Sequence, residues 1–295
     1  MTAGSTDFTA TEFARAKVNL ALHITGRRDD GYHLLDSLVI FPRIGDVLGA
    51  DPAERLSLKI DGAFSQGLQS DSSNNLIIRA IEAFAAATGA SPPALKFHLT
   101  KNLPVASGIG GGSADAAAAL RIMQRVSERP LTPEALANVA LGLGADVPVC
   151  LLQEPVRMQG IGEILSPAPK MPQLGIVLVN PGKAVSTPAI FKGLTRRDNP
   201  PLPQLPDRFA DLDDLISYLK ATRNDMQLTA EQLCPNISTV IETMSSAPET
   251  RLARMSGSGA TCFALCASGQ ENDLAARIQK GHPEWWVASS NDVGS

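Results

Sequence analysis

The chain has little of what usually marks a protein's chemistry. Its 295 residues include only four cysteines, at positions 150, 234, 262 and 266. No two form a C-x-x-C pair, and all but Cys234 sit in apolar runs, where a cysteine reads as a small buried hydrophobe. No structural disulfide is expected. The four histidines are scattered and show no zinc-ligand spacing. Aromatic residues are 4% of the chain and the formal net charge is −4. Both argue against a nucleic-acid module, and the charge argues against affinity for anionic membrane. An anionic ligand would need locally placed cations. No run of 18 apolar residues exists, so no membrane span is expected. Residues 1–12 lack a basic stretch followed by an apolar one, so no secretory signal is read there and a cytoplasmic location is expected.

Hydrophobic residues make up 44% of the chain, enough to fill two domains of ordinary size. Residues 13–24 read as one strand with polar interruptions at Arg15, Lys17 and Asn19, and residues 34–41 as the next. Alternation at 56–60 and 95–99 predicts two more strands. Residues 76–88 have helical spacing and stop at Gly89. Residues 114–126 are alanine-rich and helical by propensity. Thr132-Pro133 opens a further helix that ends at Gly142 or Gly144. Residues 146–152 read as a strand. Beyond about 155 a buried strand is expected at 176–179, with helices at 212–221 and 239–246. A second glycine turn at 255–260 then runs into an apolar strand at 261–265.

The segment Pro-Val-Ala-Ser-Gly-Ile-Gly-Gly-Gly-Ser, residues 104–113, stands between a strand and a helix. Three adjacent glycines pack nothing, but they let backbone N–H groups approach a ligand. The helix that follows adds its own unpaired N–H groups and positive dipole end, which suits phosphate. Ser107 and Ser113 add hydroxyls for phosphate oxygens or a metal. The loop lacks the Gly-Lys-Ser/Thr of a Walker A motif, and Ser113 stands where a Rossmann loop needs its third glycine. By itself the segment is equally a flexible turn. Lys17 sits alone in an apolar strand, and Asp146 lies between a helix end and the next element. Each in isolation reads as well as a surface charge; together they could serve phosphoryl transfer, a lysine keeping a carboxylate ionised.

Residues 104–114 resemble the Pro-x3-Gly-Leu-Gly-Gly/Ser-Ser phosphate loop of the GHMP kinases, which include galactokinase and the homoserine, mevalonate and phosphomevalonate kinases. Ser256-Gly-Ser-Gly-Ala260 resembles the third glycine motif of that superfamily. Five further segments narrow the resemblance to a branch acting on a cytidine-diphosphate-linked methylerythritol. These are Ala16-Lys-Val-Asn-Leu20, Gly31-Tyr-His33, Gly144-Ala-Asp-Val-Pro148, Gly160-Ile-Gly-Glu-Ile164 and Val185-Ser-Thr-Pro-Ala-Ile-Phe191. The similarity covers residues 13 to 265. Three departures are visible. Ala106-Ser107 stands where many members carry glycines, Ile109 where leucine is usual, and Asn180 where a histidine is expected before Pro181-Gly182.

The resemblance implies an α+β fold of two domains, the first like ribosomal protein S5 domain 2, the second ferredoxin-like, with the active site in the interdomain cleft. It implies an ATP-binding and catalytic domain over residues 1–155 and a substrate-binding domain over 156–295, the last strand free to return to the first domain. The implied reaction is ATP-dependent phosphorylation of the substrate's 2-hydroxyl in the non-mevalonate isoprenoid pathway, with Mg²⁺. Lys17 and Asp146 match the catalytic pair. Pro104, Val105, Ala106, Ser107, Gly108, Ile109, Gly110, Gly111, Gly112, Ser113 and Ala114 match the ATP loop, with Asn75 and Lys101 on the adenosine side. Asn19, Tyr32, His33 and Thr187 match substrate positions, Tyr32 and His33 at the cytidine. No side chain is matched to a metal. The implied partner is the small cytidyl substrate, with no nucleic acid or membrane, and the chain is expected to be a monomer or weak homodimer. Homoserine or a mevalonate as acceptor fits less well, since neither has a base for Tyr32-His33 to stack. A regulator that had lost catalysis would not need both Lys17 and Asp146.

Overall fold

The computed structural model describes residues 8–68 and 75–294. In chain order the elements begin with strands β1 (Ala10–Arg15), β2 (Val18–Arg27), β3 (His33–Ile40), β4 (Gly45–Pro52) and β5 (Ser57–Asp61). Helix α1 (Leu76–Thr88), strand β6 (Leu95–Thr100) and helices α2 (Gly111–Val126), α3 (Pro133–Leu143) and α4 (Val147–Leu152) follow. Then come β7 (Val156–Gly160), β8 (Ile164–Pro167), β9 (Gly175–Asn180) and helices α5 (Thr187–Gly193), α6 (Leu212–Lys220), α7 (Gln227–Leu233) and α8 (Asn236–Ser245). The chain closes with β10 (Leu252–Met255), β11 (Cys262–Cys266), α9 (Glu271–Gly281) and β12 (Trp286–Ser290). No helix among the described residues is long and apolar enough to cross a membrane.

The elements gather into two compact units, each built from separated pieces of chain. One takes residues 1–14, 45–103 and 112–151; the other takes 15–44, 104–111 and 152–295. One crossing, at 151/152, lies near the boundary read from the texture of the sequence. The others are made by strand pairing between distant segments, which leaves no local mark.

The first unit holds a sheet ordered β1-β4-β6-β5 and helices α1 to α4. Strands β5 and β6 are parallel and joined through α1, while β4 and β6 run antiparallel. Helix α1 forms as its sequence predicts. Asn75 Oδ1 accepts from Ile77 N at 2.9 Å, and Gly89 closes the helix in the left-handed region at φ 67°. Thr132 likewise caps α3, with Pro133 in its first turn and Gly144 at its end. Strand β4 has no strand signature, because Gly45 and Gly49 interrupt it. A Cβ on Gly45 would stand 2.2 Å from Ala14 O, and one on Gly49 would strike the Phe8 ring. Both positions are close approaches that only glycine allows. Residues 146–152 were expected as a strand and are instead α4. Val147, Val149 and Cys150 are buried, and Pro148 sits in the first turn, where its missing N–H costs nothing. Burial outweighs the β-preference of two valines.

The second unit holds two sheets, β2-β3-β7-β8 and β10-β11-β9-β12, with helices α5 to α9. The second sheet is antiparallel at every pairing, with β9, helices, β10, β11, α9 and β12 in chain order. That is the split β-α-β arrangement of a ferredoxin-like fold. One core cluster packs Val177, Val179, Cys262 and Ala264 with Ile190, Ile237, Val240 and Leu274. The single strand expected over 13–24 is broken at Ala16-Lys17. Ala16 N–H bonds Ile44 O at 2.8 Å and Lys17 N–H bonds Ile109 O at 2.9 Å, so the backbone there leaves the ladder. All four cysteines are buried and unbridged, Cys234 as well as the three that stand in apolar runs.

Phe263 is fully buried at the centre of β11. Phe263→Ala should cost about 3–5 kcal/mol through a cavity the sheet cannot close; a fall in the melting temperature measured by calorimetry checks it.

Candidate active site

The loop before α2 is a tight chain of unusual backbone angles. Ala106, Gly108 and Gly110 have φ of 51°, 76° and 65°. For Ala106 the left-handed region costs about 1–2 kcal/mol, which explains why glycines are usual in such loops. Three successive carbonyls are tied from three directions. Ser107 O accepts from Thr261 N at 3.1 Å, Gly108 O from Ser256 Oγ at 3.4 Å, and Ile109 O from Lys17 N at 2.9 Å. With its carbonyls held, the loop's N–H groups are left to face a ligand, the geometry of an anion nest. The Ser107 hydroxyl does not reach outward: it is buried and donates to Pro104 O at 2.6 Å. Ser113, in the first turn of α2, is half-buried, and a Cβ on its neighbour Gly112 would meet nothing within 4 Å. The first turn of α2 carries no acidic residue.

The second glycine turn supports the first by backbone contact. A Cβ on Gly108 would stand 2.5 Å from Gly259 N, and one on Gly257 2.5 Å from Gly108 O. Ser256 Oγ also accepts from Asn19 N at 3.1 Å, linking β2 to both turns. Asn19 is 1% exposed, with Nδ2 donating to Ser37 Oγ at 2.7 Å; its Oδ1 is buried and has no protein partner. Asn180, at the end of β9, donates to Thr261 Oγ1 at 2.9 Å and accepts from Gly182 N at 2.8 Å, so it braces the same turn. The sequence flagged these glycine motifs but gave no role to Ser256, which is the hinge between them.

Lys17 is 5% exposed in the break between β1 and β2. Asp146 is half-buried at the head of α4, its carbonyl accepting from Cys150 N at 3.3 Å. Asn75, expected beside adenosine, uses its side chain to cap α1. Lys101, expected there too, has a buried ammonium that donates to Asp46 Oδ2 at 2.5 Å and Asp115 Oδ2 at 2.7 Å. Its charge is held inside the protein.

In the second unit, which also holds Lys17 and residues 104–111, Tyr32 and His33 follow a turn in which Gly31 has φ 94°. Tyr32 is 60% exposed. The His33 ring stacks on Phe191 with centroids 4.4 Å apart and planes 14° apart, and its Nε2 is buried without a protein partner. Burial, then the charges of Arg27 and Arg197, hold the His33 imidazole below the usual histidine range. Arg27 lies directly opposite His33 in the β2–β3 ladder. Arg197 Nη2 donates to Phe191 O at 3.3 Å and Lys192 O at 3.1 Å. Thr187 Oγ1 lies 2.7 Å from Ser258 Oγ of the second glycine turn. Phe191 and the two arginines were missed as site residues; a lone aromatic on a short helix has no distinguishing spacing.

Known proteins share this architecture. The GHMP kinases N terminal domain model matches residues 75–154, and the GHMP kinases C terminal model matches residues 203–287. A 4-diphosphocytidyl-2-C-methyl-D-erythritol kinase of Paracoccus denitrificans is 53% identical over 281 residues, covering 95% of each chain. One of Cereibacter sphaeroides is 50% identical over 285 residues, covering 96% of this chain and 99% of its own. The chain belongs to the 4-diphosphocytidyl-2-C-methyl-D-erythritol kinases, within the GHMP kinases. A crystal structure of 4-(cytidine 5'-diphospho)-2C-methyl-D-erythritol kinase superposes with a TM-score of 0.77 at 29% identity, covering 96% of this chain and 99% of that one. A homoserine kinase from Cytophaga hutchinsonii shares the fold, with a TM-score of 0.69 at 18% identity over 98% and 96% of the two chains.

The residues of this kinase fit ATP. The tied carbonyls, the glycine backbone and the open start of α2 provide N–H donors with space in front of them. They fit Mg²⁺ in one way only. Among the described residues no group of three His, Cys, Asp or Glu side chains could hold a metal. A magnesium ion would therefore take its oxygens mainly from the nucleotide, as it commonly does.

Gly108→Ala would force apart two backbones that no rotamer change can relieve, at a positive φ. It should lower stability by about 1–3 kcal/mol and weaken ATP binding at least tenfold; calorimetric melting and ATP titration check both.

Proposed function

We propose that this kinase transfers the terminal phosphoryl group of ATP to the 2-hydroxyl of 4-diphosphocytidyl-2-C-methyl-D-erythritol, giving ADP and the 2-phosphate, in the non-mevalonate route to isoprenoid precursors. The observation that carries the choice of substrate is the Tyr32–His33 turn. An exposed phenol ring is available to stack a base, and beside it stands a neutral imidazole with an unpartnered nitrogen. An acceptor without a base would leave both unused.

Residues 104–114 cradle the ATP phosphates through backbone N–H groups, and Asn75 and Lys101 border the adenosine side through their backbones. Asp146 accepts the proton of the 2-hydroxyl as that oxygen bonds to the terminal phosphorus. The bond to the bridging oxygen breaks and ADP leaves. Lys17 offsets the negative charge gathering on the transferred group. Mg²⁺, when bound, would be held mainly by the nucleotide's phosphate oxygens and would supply charge neutralisation. Asn19 Oδ1 and Thr187 receive the methylerythritol end; the unpartnered, buried Asn19 oxygen is an acceptor waiting for a hydroxyl. Residues 1–155 act as the ATP-binding and catalytic domain and 156–295 as the substrate domain. The protein works in the cytoplasm as a monomer or weak homodimer.

An ADP-release assay over the cytidyl substrate, homoserine, mevalonate and galactose tests the assignment: turnover with the cytidyl substrate alone is expected, and efficient phosphorylation of another acceptor in its place would overturn it. Asp146→Asn should reduce kcat by at least a thousandfold while ATP still binds; turnover near wild type would remove Asp146 as the base. Tyr32→Ala should raise KM for the cytidyl substrate about 10- to 100-fold, from lost stacking of roughly 1–3 kcal/mol, with KM for ATP unchanged.

A further inference from the structure

The side chains of one cluster of buried charges have no part in the chemistry above. Asp46 on β4, Lys101 just after β6 and Asp115 on α2 are 0%, 4% and 4% exposed. The Lys101 ammonium bridges the two carboxylates at 2.5 and 2.7 Å. Asp46 Oδ1 accepts from the backbone N–H groups of Asn102 and Leu103 at 2.6 and 2.8 Å. Those residues lead directly into Pro104. Asp115 Oδ1 is buried with no partner. Two carboxylates share one cation here, so full ionisation leaves a net negative charge in the interior. A fold selected for stability alone gains little from such a cluster, since burying ions rarely repays their desolvation.

We propose that the Asp46–Lys101–Asp115 triad is a positioning device for ATP: it ties the chain entering the phosphate loop to the helix leaving it, and so fixes the loop's two ends. Asp46 holds the incoming backbone, Asp115 holds α2 four residues past its start, and Lys101 joins them. The inference rests on residues 104–114 binding ATP.

The triad predicts its own pH signature. Burial pushes the Asp115 carboxyl up to about 7, the Lys101 ammonium pulling against this and the Asp46 carboxylate adding to it. The Lys101 ammonium is itself held above its usual range: burial opposes its charge, but the two carboxylates outweigh burial. The Asp115 carboxyl is higher in the folded protein than in the unfolded chain. Its ionisation therefore costs stability, fully above about pH 7 and not at all below its unfolded value. The Asp115→Asn variant escapes that cost, so at pH 8 it should melt at or above wild type.

Its ATP affinity should move the other way. At pH 8 the wild-type carboxylate is charged and pulls on Lys101, so Asp115→Asn should bind ATP roughly tenfold more weakly. Near pH 6 the wild-type group is itself largely neutral, and the two proteins should converge. Asp46→Asn should weaken ATP about tenfold at both pH values, while the dissociation constant for the cytidyl substrate stays within twofold of wild type. Equilibrium titration with ATP at pH 6 and 8, with calorimetric melting of the same samples, reads all of this. A variant as stable as wild type but weaker for ATP is not explained by a structural role. An Asp115→Asn ratio to wild type that does not change with pH, or Asp46→Asn binding within twofold of wild type, overturns the proposal. Gly108→Ala, measured alongside, separates two failures. If it too leaves ATP binding unchanged, the loop assignment has failed; if it alone weakens binding, only the triad has.

Discussion

The site depends on the contact of two glycine turns, backbone against backbone. Gly108 lies so near Gly257 and Gly259 that no side chain fits between them. That proximity lets Thr261 N and Ser256 Oγ reach the carbonyls of Ser107 and Gly108, while Lys17 N takes the carbonyl of Ile109. A free loop of this composition would turn its peptides at random. Here the three successive carbonyls of Ser107, Gly108 and Ile109 are held, which leaves the loop's amides to turn the other way. The entropy lost by ordering three consecutive glycines is offset by hydrogen bonds that arrive from residues 17, 256 and 261. The proposed phosphate cradle is thus a property of segments far apart in sequence, not of the glycine run alone.

Carboxylates elsewhere follow a similar rule, each fixing a piece of irregular backbone. Asp36 is 1% exposed and takes a two-pronged contact from Arg157, and it also accepts from Leu202 N at 3.0 Å in the proline-rich stretch. Asp225 accepts from Ile24 N at 2.7 Å and thereby pins β2 where its register with β3 shifts. Asp292 takes both prongs of Arg15 at 3.0 Å, while its own main chain pairs with Arg43. A charged acceptor makes a stronger bond to an N–H than a carbonyl does, which suits places where no ladder is available.

How far the sequence could be read follows from where each signal lives. Helices α1 and α3 were legible to within a residue, because Asn75, Gly89, Thr132 and Gly144 act locally. The glycine loop and the helix after it were legible too, though α2 begins at Gly111, three residues before the expected start at 114. Strand β4 was not, since its glycines answer to Ala14 and Phe8, which only the folded chain brings near. The break at Ala16-Lys17 was hidden in an apolar run, because its cause is two hydrogen bonds to Ile44 and Ile109. The expected strand at 146–152 failed because two valines and a cysteine satisfy a helix face as well as a strand. Among the proposed site residues, Lys17, Asp146, Tyr32 and His33 were given parts through ordered motifs. Phe191 and Ser256 lay in such motifs without a part of their own, and the carboxylates around Lys101 lay in none, since their parts are defined only by what they touch.

The chain's overall charge sets a last constraint. A protein of net charge −4 that handles two polyanions cannot rely on its mean field to gather them. On the proposed reading it meets each differently. For ATP it uses dipoles: backbone amides and the start of a helix with no acid in its first turn. Beside the proposed cytidine site stand point charges, Arg27 and Arg197, and these add to burial in lowering the basicity of His33. A protonated imidazole offers two donors, whereas a neutral one offers a donor and an acceptor. A cytosine edge presents both kinds of group, so only the neutral ring can match either. The two guanidinium groups therefore bring positive charge to the side of the molecule proposed to take the cytidyl substrate and, with burial, keep the His33 ring in the form that can match a cytosine edge.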